Sequence, residues 1–179
     1  MSVHAVLETA RLILRPYCER DIAELLPLIG SLEVARTTLR IPHPYTEQDA
    51  RDFLVNIQAE EEVRLGITLR GDGRLIGGVG LRVNSPHGHA ELGYWLGVPY
   101  WGKGYATESA REMLRYGFEN LGLHRIFATC FKYNPASGRI LKKIGMRYEG
   151  CQREHLSKWG QFVDSELYGI LRREWEAGE

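Results

Sequence analysis

The sequence has few cysteines, no long apolar run and no excess of either charge, and each shortage excludes something. Cys18, Cys130 and Cys151 are widely spaced, with no C-x-x-C pair. An odd number so placed argues against a disulfide framework or a zinc site, and suits small buried residues in a reducing cytoplasm. The histidines are scattered, and His87 and His89 lie in a Gly/Pro-rich loop without partners at metal spacing, so no metal is expected. No apolar run nears the ~20 residues that span a bilayer. Met1 to Pro16 has neither a secretory nor a transit-peptide pattern. Lys plus Arg is 23 and Asp plus Glu is 23, so no global field draws the chain to nucleic acid or a membrane. An anionic ligand must then be held by a local arrangement of backbone and side chains.

What is there suits a single domain over residues 1–179, long enough to bury a core at 44% apolar content. Val6 to Arg15 alternates as a strand that Pro16 stops, with Leu12 and Leu14 opposite Ile13 and Arg15. Arg20 to Ile29 carries Ile22, Leu25, Leu26 and Ile29 on one helical stripe. Thr46-x-x-Asp49 is a relaxed capping box opening a helix with Phe53, Leu54 and Ile57 on one side. Strands follow at Arg64 to Arg70 and Arg74 to Val83 around the Gly71-Asp72-Gly73 turn, and at Ala90 to Val98. A long helix starts near Gly104, with Ala106, Ala110, Met113 and Leu114 at helical spacing. Ile126 to Lys132 then reads as a strand, Pro135 to Ile144 as a helix, and Met146 to Leu171 as a hairpin around Gly160. The expected class is α/β, with a mixed sheet and helices on both faces.

One segment carries chemistry. The strand Leu92-Gly93-Tyr94-Trp95-Leu96 feeds Trp101-Gly102-Lys103-Gly104-Tyr105-Ala106-Thr107-Glu108, a glycine-bearing loop that opens a helix. Glycines let several N–H groups point into one concavity, and a helix N-terminus adds unpaired donors and a positive dipole end. Such a concavity binds phosphate. The spacing matches neither a Walker loop nor a dinucleotide fingerprint.

Trp101-x-x-Gly104-x-Ala106 resembles the pyrophosphate-binding signature Q/R-x-x-G-x-G/A of the GNAT acetyltransferases, with Trp101 departing from the polar first position. Asn134-Pro135-Ala136-Ser137 followed by Leu141, Lys143, Gly145 and Met146 is similar to a second motif of that family. Thr9-x-Arg11-Leu12-x-Leu14-Arg15 is a third, typical of the branch containing ribosomal-protein N-terminal acetyltransferases. The three occur in the family's order across nearly the whole chain.

The resemblance implies a mixed, largely antiparallel central sheet with splayed middle strands, here Ala90 to Val98 and Ile126 to Lys132. It implies acetyl-CoA as co-substrate, with the pantetheine arm in the splay against main-chain groups of Tyr94, Trp95 and Leu96. One such group is a candidate oxyanion donor. Backbone N–H groups of Gly102, Lys103, Gly104, Tyr105, Ala106 and Thr107 would hold the pyrophosphate, and Asn134 and Ser137 would also contact the cofactor. Glu91 is the candidate base, against its reading as a solvated strand-end glutamate. The family's frequent acid, a tyrosine seven residues after the asparagine, is replaced by Leu141, which leaves Ser137 as candidate acid or simple helix cap. Leu156 stands where one branch member has a glutamate.

Trp95, Trp101 and Trp159 are either acceptor-pocket walls or core, and Glu60-Glu61-Glu62 either attracts a cation or is a solvated face. The expected partners are acetyl-CoA and an amine. The favoured acceptor is a peptide or ribosomal-protein N-terminus; a small amine such as a polyamine, amino acid or aminoglycoside is the alternative. A non-catalytic acyl-CoA sensor, and a monomer or a homodimer, both remain open readings.

Overall fold

The structure is a computed structural model that describes residues 5–56 and 62–178. The expected first strand is two, β1 (Leu7–Glu8) and β2 (Leu12–Arg15), paired antiparallel. The chain turns at Thr9, whose hydroxyl accepts a hydrogen bond from the Leu12 N–H at 3.0 Å and so offers the backbone an alternative to continuing as a ladder. Leu12 and Leu14 are buried on one face, as the alternation requires.

Helices α1 (Ile22–Ile29), α2 (Leu32–Thr37) and α3 (Glu47–Asn56) follow. The expected helix from Arg20 begins at Ile22, after a single 3-10 turn over Glu19–Asp21. Helix α2 was not foreseen, although Ser31 caps it by accepting from the Val34 N–H at 3.2 Å. The Thr46/Asp49 capping box forms in both directions, at 2.7 Å and 3.2 Å. Ile57, Glu60 and Glu61 lie outside the described residues.

Strands β3 (Glu62–Leu69), β4 (Leu75–Asn84) and β5 (His89–Leu96) form a meander. Helix α4 (Tyr105–Glu119), β6 (Arg125–Phe131), α5 (Pro135–Lys143), the hairpin β7 (Arg147–Lys158) and β8 (Gln161–Leu171), and a short unforeseen α6 (Arg172–Ala177) complete the chain. One eight-stranded sheet runs β1-β2-β3-β4-β5-β6-β8-β7, with β8 seated between β6 and β7.

The β5–β6 pair is parallel and the other neighbours are antiparallel. That pair has only three rungs, His89↔Arg125, Ala90↔Ile126 and Glu91↔Phe127. Beyond them each strand runs on without the other, which is the splay that the resemblance implies. Helices hold the fork from both faces, as the adjacent residues Leu75 and Ile76 show. Ile76 packs with Ala110, Met113 and Leu114 of α4, and Leu75 packs with Ile22, Leu25 and Ala50 of α1 and α3. A fully buried leucine such as Leu25 contributes about 2 kcal/mol through burial, so both layers are firmly seated.

A candidate active-site cleft at the strand fork

The fork opens into a cleft of about 630 Å³ that reaches both faces of the sheet. Alternation along β5 sorts its lining: Tyr94 packs with the α4-side core, and Trp95 with the α1/α3-side core. Glu91, Tyr94, Trp95 and Ser137 all line the cleft, from β5 and α5. Leu96, Asn134 and residues Gly102 to Thr107 are outside that lining, and Gly104 and Thr107 line a separate depression with Thr9 and Arg11.

At the loop, Gly102 and Gly104 adopt left-handed backbone, with φ of 72° and 83°. Gly104 is also the N-cap of α4 and has no side chain to offer, so no side-chain cap claims the first-turn amides of Tyr105, Ala106 and Thr107. The Glu108 N–H begins the helical ladder by donating to the Gly104 carbonyl at 3.0 Å. The Lys103 ammonium lies 5.7 Å from the Tyr100 ring centroid. Unclaimed donors at the positive end of a fifteen-residue helix suit a pyrophosphate. Trp101, which departs from the polar signature, donates its indole N–H to the Leu96 carbonyl at 2.7 Å and so ties the loop to the end of β5.

Asn134 caps α5, its Oδ1 accepting from the Ser137 N–H at 3.4 Å. The Ser137 hydroxyl points away from that cap and lies 2.8 Å from the Tyr94 hydroxyl. Burial pushes the Tyr94 phenol up, so it stays a protonated donor well above neutral pH. On β6, burial and then the charge of Glu166 push the Cys130 thiol up to about 11, against a lowering hydrogen bond from Ser137.

Glu91 sits on the last rung of the fork and shares its face with Gly93 and Trp95. Its Oε1 accepts from the Thr129 hydroxyl at 3.1 Å, and its Oε2 lies 3.7 Å from Arg82 and 3.9 Å from Arg40. Arg82 also donates to Glu62 at 2.7 Å, and Arg64 pairs with the same carboxylate. This stretch of the wall therefore carries three guanidiniums and two carboxylates in alternation, and Asp49 and Asp52 line the cleft as well. Nearby, Tyr17 meets Phe53 edge-on at 5.2 Å, and Lys158 donates to the Leu39 and Ile41 carbonyls, pinning the 39–41 segment to the β7–β8 hairpin. Glu91 and Ser137 make no direct contact among the described residues.

Sequence reasoning gave Tyr94 only a main-chain role and passed over Arg40, Arg82 and Thr129. The cross-strand pairing Arg82↔Glu91 follows from the β4–β5 register, which counting outward from the hairpin loop could have supplied. Arg40 and Thr129 arrive from distant elements, and no local pattern announces them. Trp95 lines the cleft, whereas Trp101 and Trp159 are half-exposed and form neither its wall nor the core.

Comparison with known proteins adds to this geometry. The sequence profile described as an acetyltransferase (GNAT) domain matches residues 11–147. The uncharacterized N-acetyltransferase YnaD of Bacillus subtilis is 33% identical over 170 residues, which cover 94% of this chain and 98% of that protein. The [ribosomal protein uS5]-alanine N-acetyltransferase of Escherichia coli is 32% identical over 87 residues, 49% of this chain and 45% of that one. The crystal structure of a GNAT-family acetyltransferase from Bacillus anthracis superposes with a TM-score of 0.86 at 28% identity, covering 94% of this chain and 99% of that one.

Proposed function

This chain belongs to the GNAT acetyltransferase family and takes acetyl-CoA as co-substrate, and we propose that it acetylates the α-amino group of a peptide N-terminus. The observation that carries this reading is the alternation of Arg40, Arg64 and Arg82 with Glu62 and Glu91 along the cleft wall. A polyamine brings several positive charges and needs a wall of mostly one sign. Here Glu62 and Glu91 are already paired with guanidiniums, and Asp49 and Asp52, which also line the cleft, already accept from Thr46 and Gln48, so among the described residues a second ammonium would find no unengaged carboxylate beside the arginines. A peptide end brings one amine, followed by neutral carbonyls that guanidiniums can bind. The likeness to an alanine N-acetyltransferase acting on a ribosomal protein supports the same reading. Three free thiols suit a cytoplasmic setting.

Acetyl-CoA supplies an acetyl group activated as a thioester. Backbone donors of Gly102 to Thr107 hold its pyrophosphate, while main-chain groups of Tyr94 to Leu96 align its arm along β5. Glu91 takes the proton released as the amine nitrogen bonds to the acetyl carbon, directly or through one water. Ser137, backed by the Tyr94 hydroxyl, donates to the sulfur as the carbon–sulfur bond breaks. A thiol of ordinary pKa ~8.5 needs little more than such a hydrogen bond on leaving. Transfer is direct, because the Cys130 thiol is held neutral and is a poor nucleophile.

Thiol release from acetyl-CoA tests the proposal, using peptides that begin with alanine or serine beside spermidine, free amino acids and an aminoglycoside. Peptide-dependent release is expected. Release driven by spermidine instead would move the site to small amines, and tight acetyl-CoA binding without turnover on any amine would favour a sensor.

A further inference from the structure

The turn Thr9-Ala10-Arg11 is a sequence motif to which the cleft gives no task, yet it reaches across the molecule to the phosphate loop. The Glu108 carboxylate, one turn into α4, accepts from the Thr9 hydroxyl at 2.6 Å, the Arg11 N–H at 2.8 Å and the Arg11 Nε at 2.7 Å. The same guanidinium donates through Nη1 to the Lys103 carbonyl at 3.0 Å. Its carbon lies 4.6 Å from the Tyr105 ring centroid, and a Cβ placed on Gly104 would fall 3.2 Å from Nη2. One side chain thus contacts the loop residues on either side of Gly104.

We propose that Thr9 and Arg11, acting through Glu108 and the Lys103 carbonyl, are positioning residues that aim the loop amides at the pyrophosphate. The Lys103 carbonyl and the Gly104 N–H belong to one planar trans peptide unit and point in opposite directions. Tying the carbonyl to Arg11 on the outside turns the Gly104 N–H inward. Gly102 and Gly104 have no Cβ and would otherwise sample both hands of backbone, scattering the donors. The grip also fixes the helix that supplies the next amides, since Glu108 is anchored at both oxygens. Burial pushes the Glu108 carboxyl up, and the bonds from Thr9 and Arg11 outweigh that and hold it below its ordinary value.

The inference rests on the reading that this loop binds the pyrophosphate, and its test separates the two. Acetyl-CoA and S-acetylpantetheine, which has no pyrophosphate, are titrated calorimetrically into the wild type and into Arg11→Met, Arg11→Lys and Thr9→Val. Amide hydrogen exchange over residues 102–107 is measured without ligand. Arg11→Met is expected to weaken acetyl-CoA about tenfold and leave S-acetylpantetheine unchanged, while exchange quickens in the loop alone. Arg11→Lys does not restore binding, because an ammonium cannot reproduce the guanidinium fork. Thr9→Val gives a smaller loss of the same kind. Unchanged acetyl-CoA affinity in Arg11→Met, or an equal loss for both thioesters, overturns the inference. A wild type that binds the two thioesters equally removes the loop reading and this inference with it.

Discussion

The Tyr94 hydroxyl lies 2.8 Å from the Ser137 Oγ, joining the middle of β5 to the first turn of α5 across the fork. The family's usual tyrosine position holds Leu141, which is fully buried and has no proton to give. A phenol from β5 therefore stands beside the serine and can share its proton.

Tyr94→Phe keeps the ring and removes the donor, and is expected to lower kcat about tenfold, as is Ser137→Ala, at the modest end of acid catalysis. Because the two hydroxyls form one relay, the double variant should lose little more than either single one. Saturating thiol-release assays measure this, and fully additive losses would separate the two residues.

Glu91→Gln is expected to lower kcat/KM about a hundredfold near neutral pH, a typical share for a general base. Without a base the variant depends on amine that is already neutral. Its rate should rise about tenfold per pH unit up to the α-amino pKa of ~8. A variant whose pH profile parallels that of the wild type would remove Glu91 from the role.

Gly78 lies on the cleft wall, and a Cβ there would come within 2.1 Å of the Tyr17 hydroxyl and 2.6 Å of the Trp95 indole nitrogen. Gly78→Ala pushes both rings into the cleft. The KM for the acceptor is expected to rise about tenfold while calorimetry finds acetyl-CoA affinity unchanged, with overpacking costing about 1–3 kcal/mol of stability.

Cys130→Ala is expected to retain activity within about threefold, because a thiol titrating near 11 is almost wholly protonated at neutral pH. Incubation with acetyl-CoA and no acceptor should leave the intact mass of the wild type unchanged at Cys130. A stable acetyl adduct on that thiol would contradict direct transfer.

Asp21 accepts two bonds from Arg15, at 2.7 Å and 2.8 Å, and one from the Cys18 N–H at 2.8 Å. Burial pushes its carboxyl up, but those bonds outweigh the burial and hold it below the usual range. The folded state thus favours the ionised form. The stabilisation is present above the ordinary carboxylate pKa and is lost as pH falls through the lowered one. Asp21→Asn is expected to cost about 2 kcal/mol at pH 7, and denaturant titrations should show the gap to wild type closing in acid.

Much of this architecture is legible in the sequence because it is local. The Thr46/Asp49 box, the Gly71-Asp72-Gly73 turn and the stripe through Ala110, Met113 and Leu114 depend on neighbours within a turn or two, and all three form. Helix α2 rests on a serine cap over only six residues, too few for a periodic stripe. The glycine-bearing turn that opens α4 is legible because glycine at 102 and 104 permits its left-handed backbone. The Tyr94–Ser137 contact is not, since side chains 43 residues apart meet only once the sheet has formed, and Arg40 and Thr129 likewise reach Glu91 from distant elements.

Three rungs join β5 to β6, and past Glu91 and Phe127 the facing edges of these strands pair with no strand among the described residues. An extended amide-bearing arm laid between them would meet donors and acceptors on two sides, as a guest strand does. The seam between the meander β1–β5 and the trio β6–β8 would then be stitched by the co-substrate itself. A ligand bound only by the folded form adds to its stability by mass action, so occupancy and cohesion of the sheet would rise together. The place proposed here for the co-substrate is also the place where the sheet has its fewest rungs between long strands.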